Sequence, residues 1–113
     1  MTILAQLGSQ SFAPQTRTIP FSVAADATRI LVSFTHPDWP EGGPVLRANV
    51  QWGGVPGGVF TTGGGVIRDK AGNPTGGTAV TTLSVPKPPG QTSGVAEVIV
   101  LQTFTSAIMV ESF

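Results

Sequence analysis

Apolar and polar residues alternate along most of this chain. In TRILVSFT, Ile30, Val32 and Phe34 fall on one side of an extended backbone, with Arg29, Leu31, Ser33 and Thr35 on the other. In VLRANVQW, Leu46, Ala48, Val50 and Trp52 alternate with Val45, Arg47, Asn49 and Gln51. Successive side chains of a strand point to opposite faces, so a period of two marks a strand with one buried face. The stretch GVAEVIVLQTF is apolar on both faces apart from Glu97 and Gln102, which predicts a central strand covered on both sides. Shorter strands are predicted at ILAQL, TRTIPFSV, GVFTT, GTAVTTLSV and SAIMVESF, and β-branched Thr and Val are prominent among them. Pro20 has no N–H to give to a ladder, which points its strand to a sheet edge or a bulge.

Turn signals separate these strands: AADA, HPDWPEGGP, GGVPGG, GGG, DKAGNPTGG and PKPPGQTSG. No helix-period run competes with them. About eight short strands at such spacing predict an all-β antiparallel β-sandwich or jelly roll. A chain of 113 residues fits one domain, so 1–113 is read as a single β-sandwich domain. The Gly- and Pro-rich stretch at about 53–77 reads either as two long loops around one short strand or as an arm that becomes ordered against a neighbour.

Composition narrows the function classes. Six basic residues balance six acidic ones, and charged residues make up only 11% of the chain. A neutral chain lacks the basic field of a nucleic-acid binder. So low a charge density also suits a surface that is partly covered, which predicts assembly with copies of itself or with a larger partner. There is no cysteine, which excludes disulfides and thiolate metal sites. The first residues have no secretory-signal pattern, and no apolar run is long enough to span a membrane as a helix.

Candidate chemistry is sparse. HPDWPEGGP holds the only histidine, His36, close to Asp38 and Glu41. A zinc site there would need carboxylates or waters for every other ligand, and acid–base work would need a positioned partner. The loop is better read as a connector stiffened by Pro37, Pro40 and Pro44. No nucleophile elbow, phosphate-binding loop or dinucleotide fingerprint is present. The run from Asp69 to Gly72 reads as a β-turn and not as a calcium loop, since it lacks the alternating oxygen ligands. No catalytic residue, metal or cofactor is therefore expected. Trp52 lies on the apolar face of its strand and reads as core. Trp39 either caps the open end of the sandwich or projects toward a partner, where tryptophan is a frequent hot-spot residue.

The order TIPFSV, RILVSFTHPDWPEGGPVLRANVQW, then TTLSVPKPPGQTSGVAEVIVLQTFTSAIMVE resembles small β-sandwich virion proteins of tailed bacteriophages, of the capsid cement or decoration type. The resemblance covers most of the chain. It rests on a strand ending before the Trp-Pro-Glu-Gly loop, a following strand ending in Trp52-Gly53, and a late Pro-Gly loop before two closing strands. It implies a non-enzymatic protein on the capsid surface of a virion assembled in the host cytoplasm, with the major capsid protein or other virion proteins as partners. Candidate contacts are Ile3, Ala5 and Leu7 on the first strand, Trp39, and Val59 with Phe60. The alternative is a carbohydrate-binding or tail accessory module with a platform of Trp39, Asp38, Arg47 and Asn49.

Overall fold

A computed structural model describes residues 1–40, 42–53, 55–63 and 68–113, with backbone alone at Val55, Pro56, Gly58, Val59, Thr62 and Gly63. Eight strands follow in order: β1 (Thr2–Phe12), β2 (Thr16–Ser22), β3 (Arg29–His36), β4 (Pro44–Trp52), β5 (Val55–Gly63), β6 (Ala79–Pro86), β7 (Ser93–Val100) and β8 (Phe104–Ser112). They form two antiparallel four-stranded sheets. The first, sheet A, has the order β1-β8-β3-β6, and the second, sheet B, has β2-β7-β4-β5.

This order is that of a jelly roll. β4 pairs β5, β3 pairs β6, β2 pairs β7 and β1 pairs β8, so the first four strands run as one arm of a long hairpin against the last four. Rolling that hairpin over itself sends successive pairs to opposite sheets and closes a sandwich. The predicted fold class is the observed one.

Apolar positions at period two fill the space between the sheets. Ile30, Val32 and Phe34 of β3 face Leu46, Ala48 and Val50 of β4, and all are at most 1% exposed. Val98, Ile108 and Val110 complete the centre of one continuous core. Burying a side chain of this size stabilises by about 1.5–3 kcal/mol. Pro20 sits in β2, which pairs only with β7 and is an edge strand, as the missing donor requires.

Three expectations need correction. GVAEVIVLQTF is not one strand: β7 ends at Val100, and Leu101 to Thr103 form the turn into β8. That turn is pinned by Val45 O, which accepts from the N–H groups of Leu101 and Gln102. β7 is central, but its outward side chains Val95, Glu97 and Ile99 are only half-buried, so it is fully covered on one face alone. Inside the Gly/Pro-rich stretch, Val55–Gly63 forms a nine-residue strand that pairs with β4, and Gly64 to Ile67 lie outside the described residues.

Candidate functional site

The loop that holds the only histidine is a plug in the end of the sandwich. His36 is the last residue of β3 and falls on the same face as Phe34, so its ring points inward. Pro37 and Pro40 turn the chain back, and Trp39 folds under it to 3% exposure. Its indole lies on the His36 ring, with centroids 3.5 Å apart. Its edges meet Phe34 at 6.3 Å and Phe104 at 5.2 Å. Phe12 stacks on Phe104 beyond it, at 5.2 Å. The indole N–H donates to Thr105 O at 3.1 Å, so burying the ring leaves no orphan donor.

The imidazole is satisfied on both sides. Nδ1 lies 2.6 Å from Pro37 O and Nε2 lies 2.9 Å from Thr81 Oγ1. A carbonyl only accepts, so Nδ1 carries the proton there, and in the neutral ring Nε2 accepts from the threonine hydroxyl. Asp38 is exposed in the loop beyond the plug, and Glu41 lies outside the described residues. Among the described residues, no group of three His, Asp or Glu gathers closely enough to hold a metal ion.

At the other end, Trp52 closes the sandwich. It is 5% exposed and meets Phe21 edge to face at 5.6 Å. Gly94 and Gly57 make room for it. A Cβ on Gly94 would lie 2.9 Å from Trp52 Cζ3 and from Phe21 Cζ, and one on Gly57 only 2.5 Å from Trp52 Nε1. Near this end lies an open depression of 780 Å³, lined by Ile3, Leu4, Pro20, Ser22, Gln51 and Ser93 among others. Its lining offers hydroxyls and an amide but no titratable side chain.

The turn at 69–72 is held by its own carboxylate. Gly72 N donates to Asp69 O at 3.0 Å, which closes a β-turn, and Gly72 takes a φ of 88° that suits glycine. Asp69 Oδ1 accepts from the N–H groups of Ala71 and Asn73, each at 2.9 Å.

The outer faces of the two sheets differ. On sheet B, Asn49 pairs in register with Glu97, and its Nδ2 donates to Glu97 Oε1 at 3.0 Å. Asn49 is 6% exposed and its Oδ1 is buried with no hydrogen-bond partner among the described residues. The alternation rule placed Asn49 on a polar face but gave no signal that it would be covered. On sheet A, registered rows run Ile3–Glu111–Leu31–Ser84, Gln6–Met109–Ser33–Thr82 and Ala107–Thr35–Val80. The single charge in these rows, Glu111, is 8% exposed, while Ile3 and Val80 at opposite margins are 53% and 62% exposed.

The six sequence-derived contact candidates therefore separate. Ile3 is on the surface. Ala5 and Leu7 face the other way, half-buried against the core, because an irregularity between Ile3 and Ala5 shifts the alternation by one. Phe60 is likewise packed partly against the core. Trp39 is interior and is corrected from contact to plug: its aromatic neighbours and Thr105 O satisfy it better than solvent would. Val59 pairs with Asn49 in the ladder, and its side chain lies outside the described residues. The platform of Trp39 with Asp38, Arg47 and Asn49 does not assemble, since Arg47 and Asn49 point outward from sheet B while Trp39 points inward.

No known protein family and no curated protein matches the chain. Solved structures of similar fold do exist. The insecticidal delta-endotoxin Cry8Ea1 from Bacillus thuringiensis is similar at a TM-score of 0.50 and 11% identity, over 93% of this chain and 19% of that one. Dimeric latent PorU from Porphyromonas gingivalis is similar at 0.50 and 13% identity, over 99% of this chain and 13% of that one. The CBM36-1 domain of a multidomain xylanase from the hindgut metagenome of Trinervitermes trinervoides scores 0.48 at 13% identity, over 98% of this chain and 90% of that one. The chain thus spans less than a fifth of the first two proteins. At such identities the likeness shows the sandwich fold alone.

Proposed function

We propose that this chain is a non-enzymatic structural subunit of a virion, of the capsid cement or decoration type, and that it works by covering surface. The observation that carries the reading is the outer face of sheet A. Three registered rows cross all or most of its four strands with one charge between them, which is itself buried, and the exposed Arg29 at the start of β3 is tied to Ser84 Oγ at 2.8 Å. Ile3 and Val80 stand exposed at its margins. A face of this kind desolvates cheaply when it meets another protein, because few charged groups lose water. Many weak contacts of this sort add up when subunits are arrayed on a lattice. The resemblance to small phage virion proteins supports the same partner class, the major capsid protein.

The test is co-sedimentation of the recombinant protein with phage heads, comparing the wild type with Ser33→Lys in the middle of the face. Saturable binding by the wild type, weakened by the lysine, supports the reading; no binding by a folded wild type refutes it. The sugar-binding alternative has lost its aromatic platform, because Trp39 and Trp52 are both buried.

A further inference from the structure

Among the described residues, four strands have an open side: β1 and β6 in sheet A, β2 and β5 in sheet B. An open strand edge offers unpaired N–H and C=O groups to any other strand, and proteins blunt it with proline, charge or bulges. Three of the four edges are blunted. β1 has register shifts between Ile3 and Ala5 and between Leu7 and Gln10, and the Gln10 amide donates to Gly8 O at 3.1 Å. β2 carries Pro20 near its middle and Arg17 near its start. β5 carries Pro56, and its ladder with β4 shifts twice.

β6 has none of these devices along its length. Its register with β3 runs from Arg29–Pro86 to His36–Ala79 without a shift. AVTTLSVP contains no charge, and its proline is the last residue. Val, Thr and Leu fill it, which are residues of high strand propensity, in a regular segment of the kind that pairs with its own copy. No backbone hydrogen bond of residues 79–86 outside their pairing with β3 is found among the described residues.

We propose that β6 is a self-association edge, where it pairs antiparallel with β6 of a second copy about a two-fold axis at Thr82. The side-chain pattern makes that register self-complementary. Opposed residues of an antiparallel pair lie on the same face, so the sum of their numbers is constant and even here. Thr82 then faces Thr82 of the second copy, Val80 faces Ser84, Thr81 faces Leu83 and Ala79 faces Val85. Every outward residue meets an outward one and every inward residue an inward one. No like charges are opposed, and threonine against threonine is a favourable cross-strand pair. Pro86 falls at the end of the ladder, opposite Thr78, where its missing N–H disrupts least. The two sheets A become one eight-stranded sheet, and their low-charge outer faces become continuous. A closed two-fold contact of this kind stops at a dimer. This inference stands apart from the virion reading: a dimer that ignores phage heads would leave it intact.

The chain has no cysteine, so one introduced cysteine gives an unambiguous cross-link. Directly opposed residues have Cα atoms about 4.5–5.5 Å apart, within disulfide reach. The expected result is that Thr82→Cys oxidises to a covalent dimer within minutes at micromolar concentration, while Gln6→Cys on the far edge stays monomeric. By sedimentation velocity the wild type is a dimer, and Thr82→Lys and Thr82→Glu each raise the dimer dissociation constant at least tenfold. Mixing the two charged variants restores the dimer. A folded wild type that sediments as a monomer at 100 µM (an upper working concentration of about this order), or a dimer indifferent to both charges, overturns the proposal.

Discussion

The imidazole of His36 lies flat on the indole of Trp39, with ring centroids 3.5 Å apart and planes 12° from parallel. The pair joins the end of β3 to the loop that leads to β4, and the Trp39 N–H carries the link on to Thr105 of β8. The only histidine is thus part of the packing. Trp39→Ala is expected to cost about 3–5 kcal/mol, as removal of a buried tryptophan does. Trp39→Phe should cost clearly less, since it keeps an aromatic plug and loses one hydrogen bond. Urea denaturation of the two variants checks this; an alanine variant as stable as the wild type would place the indole outside the core.

Gly94 is the second packing test. A methyl there would stand 2.9 Å from both Phe21 and Trp52, which already meet edge to face. Gly94→Ala should therefore destabilise by about 1–3 kcal/mol through overpacking. Gly8→Ala, with open space around the new methyl, should stay within about 0.5 kcal/mol of the wild type. Thermal melts of the two alanine variants measure the contrast, and equal effects would contradict the packing around Trp52.

Asn49 predicts a gain. Its Oδ1 is buried without a partner among the described residues, and such a group forfeits about 1–3 kcal/mol of hydration. Asn49→Val removes that group, adds a β-branched side chain suited to a central strand, and frees the half-buried Glu97 to bond water. The variant should be more stable by about 1 kcal/mol. A loss of stability in denaturant titration would show that the Asn49–Glu97 bond outweighs the orphaned oxygen.

Attachment through the outer face of sheet A should resist salt. At 1 M ionic strength the screening length falls to about 3 Å, which weakens charge-driven contact and leaves apolar contact in place. Washing loaded phage heads at that ionic strength is expected to remove little of the wild type. Ser33→Lys would place an unpaired charge in the proposed interface and should weaken binding roughly tenfold or more, about 1.4 kcal/mol. Rapid elution of the wild type by salt would point to a charged contact instead.

Much of this architecture was legible in the residues. Ile30, Val32 and Phe34 announced β3, and Trp52 was placed in the core by the same alternation. Pro20 marked an edge through its missing donor. The turn at Leu101 to Thr103 was not legible, because it contains neither glycine nor proline and is held by Val45 of another strand. The strand order was hidden for a similar reason: pairing β1 with β8 joins opposite ends of the chain, and no local pattern encodes it. Trp39 was ambiguous in sequence because a loop residue can turn either way, and the choice is made together with Phe34 by Phe104 and Thr105, which are remote in sequence. The covering of Asn49 and the regularity of the β6 edge depend on neighbours in the ladder, so neither could be read from a single strand.

The most direct test of the covering role is quantitative mass spectrometry of gradient-purified tailed-phage particles from cells that carry the gene, with heads and tails separated. The chain is expected in the head fraction at many copies per particle, retained after a high-salt wash. Its absence from purified particles, while it is abundant in the same lysate, would rule out a covering role on the head.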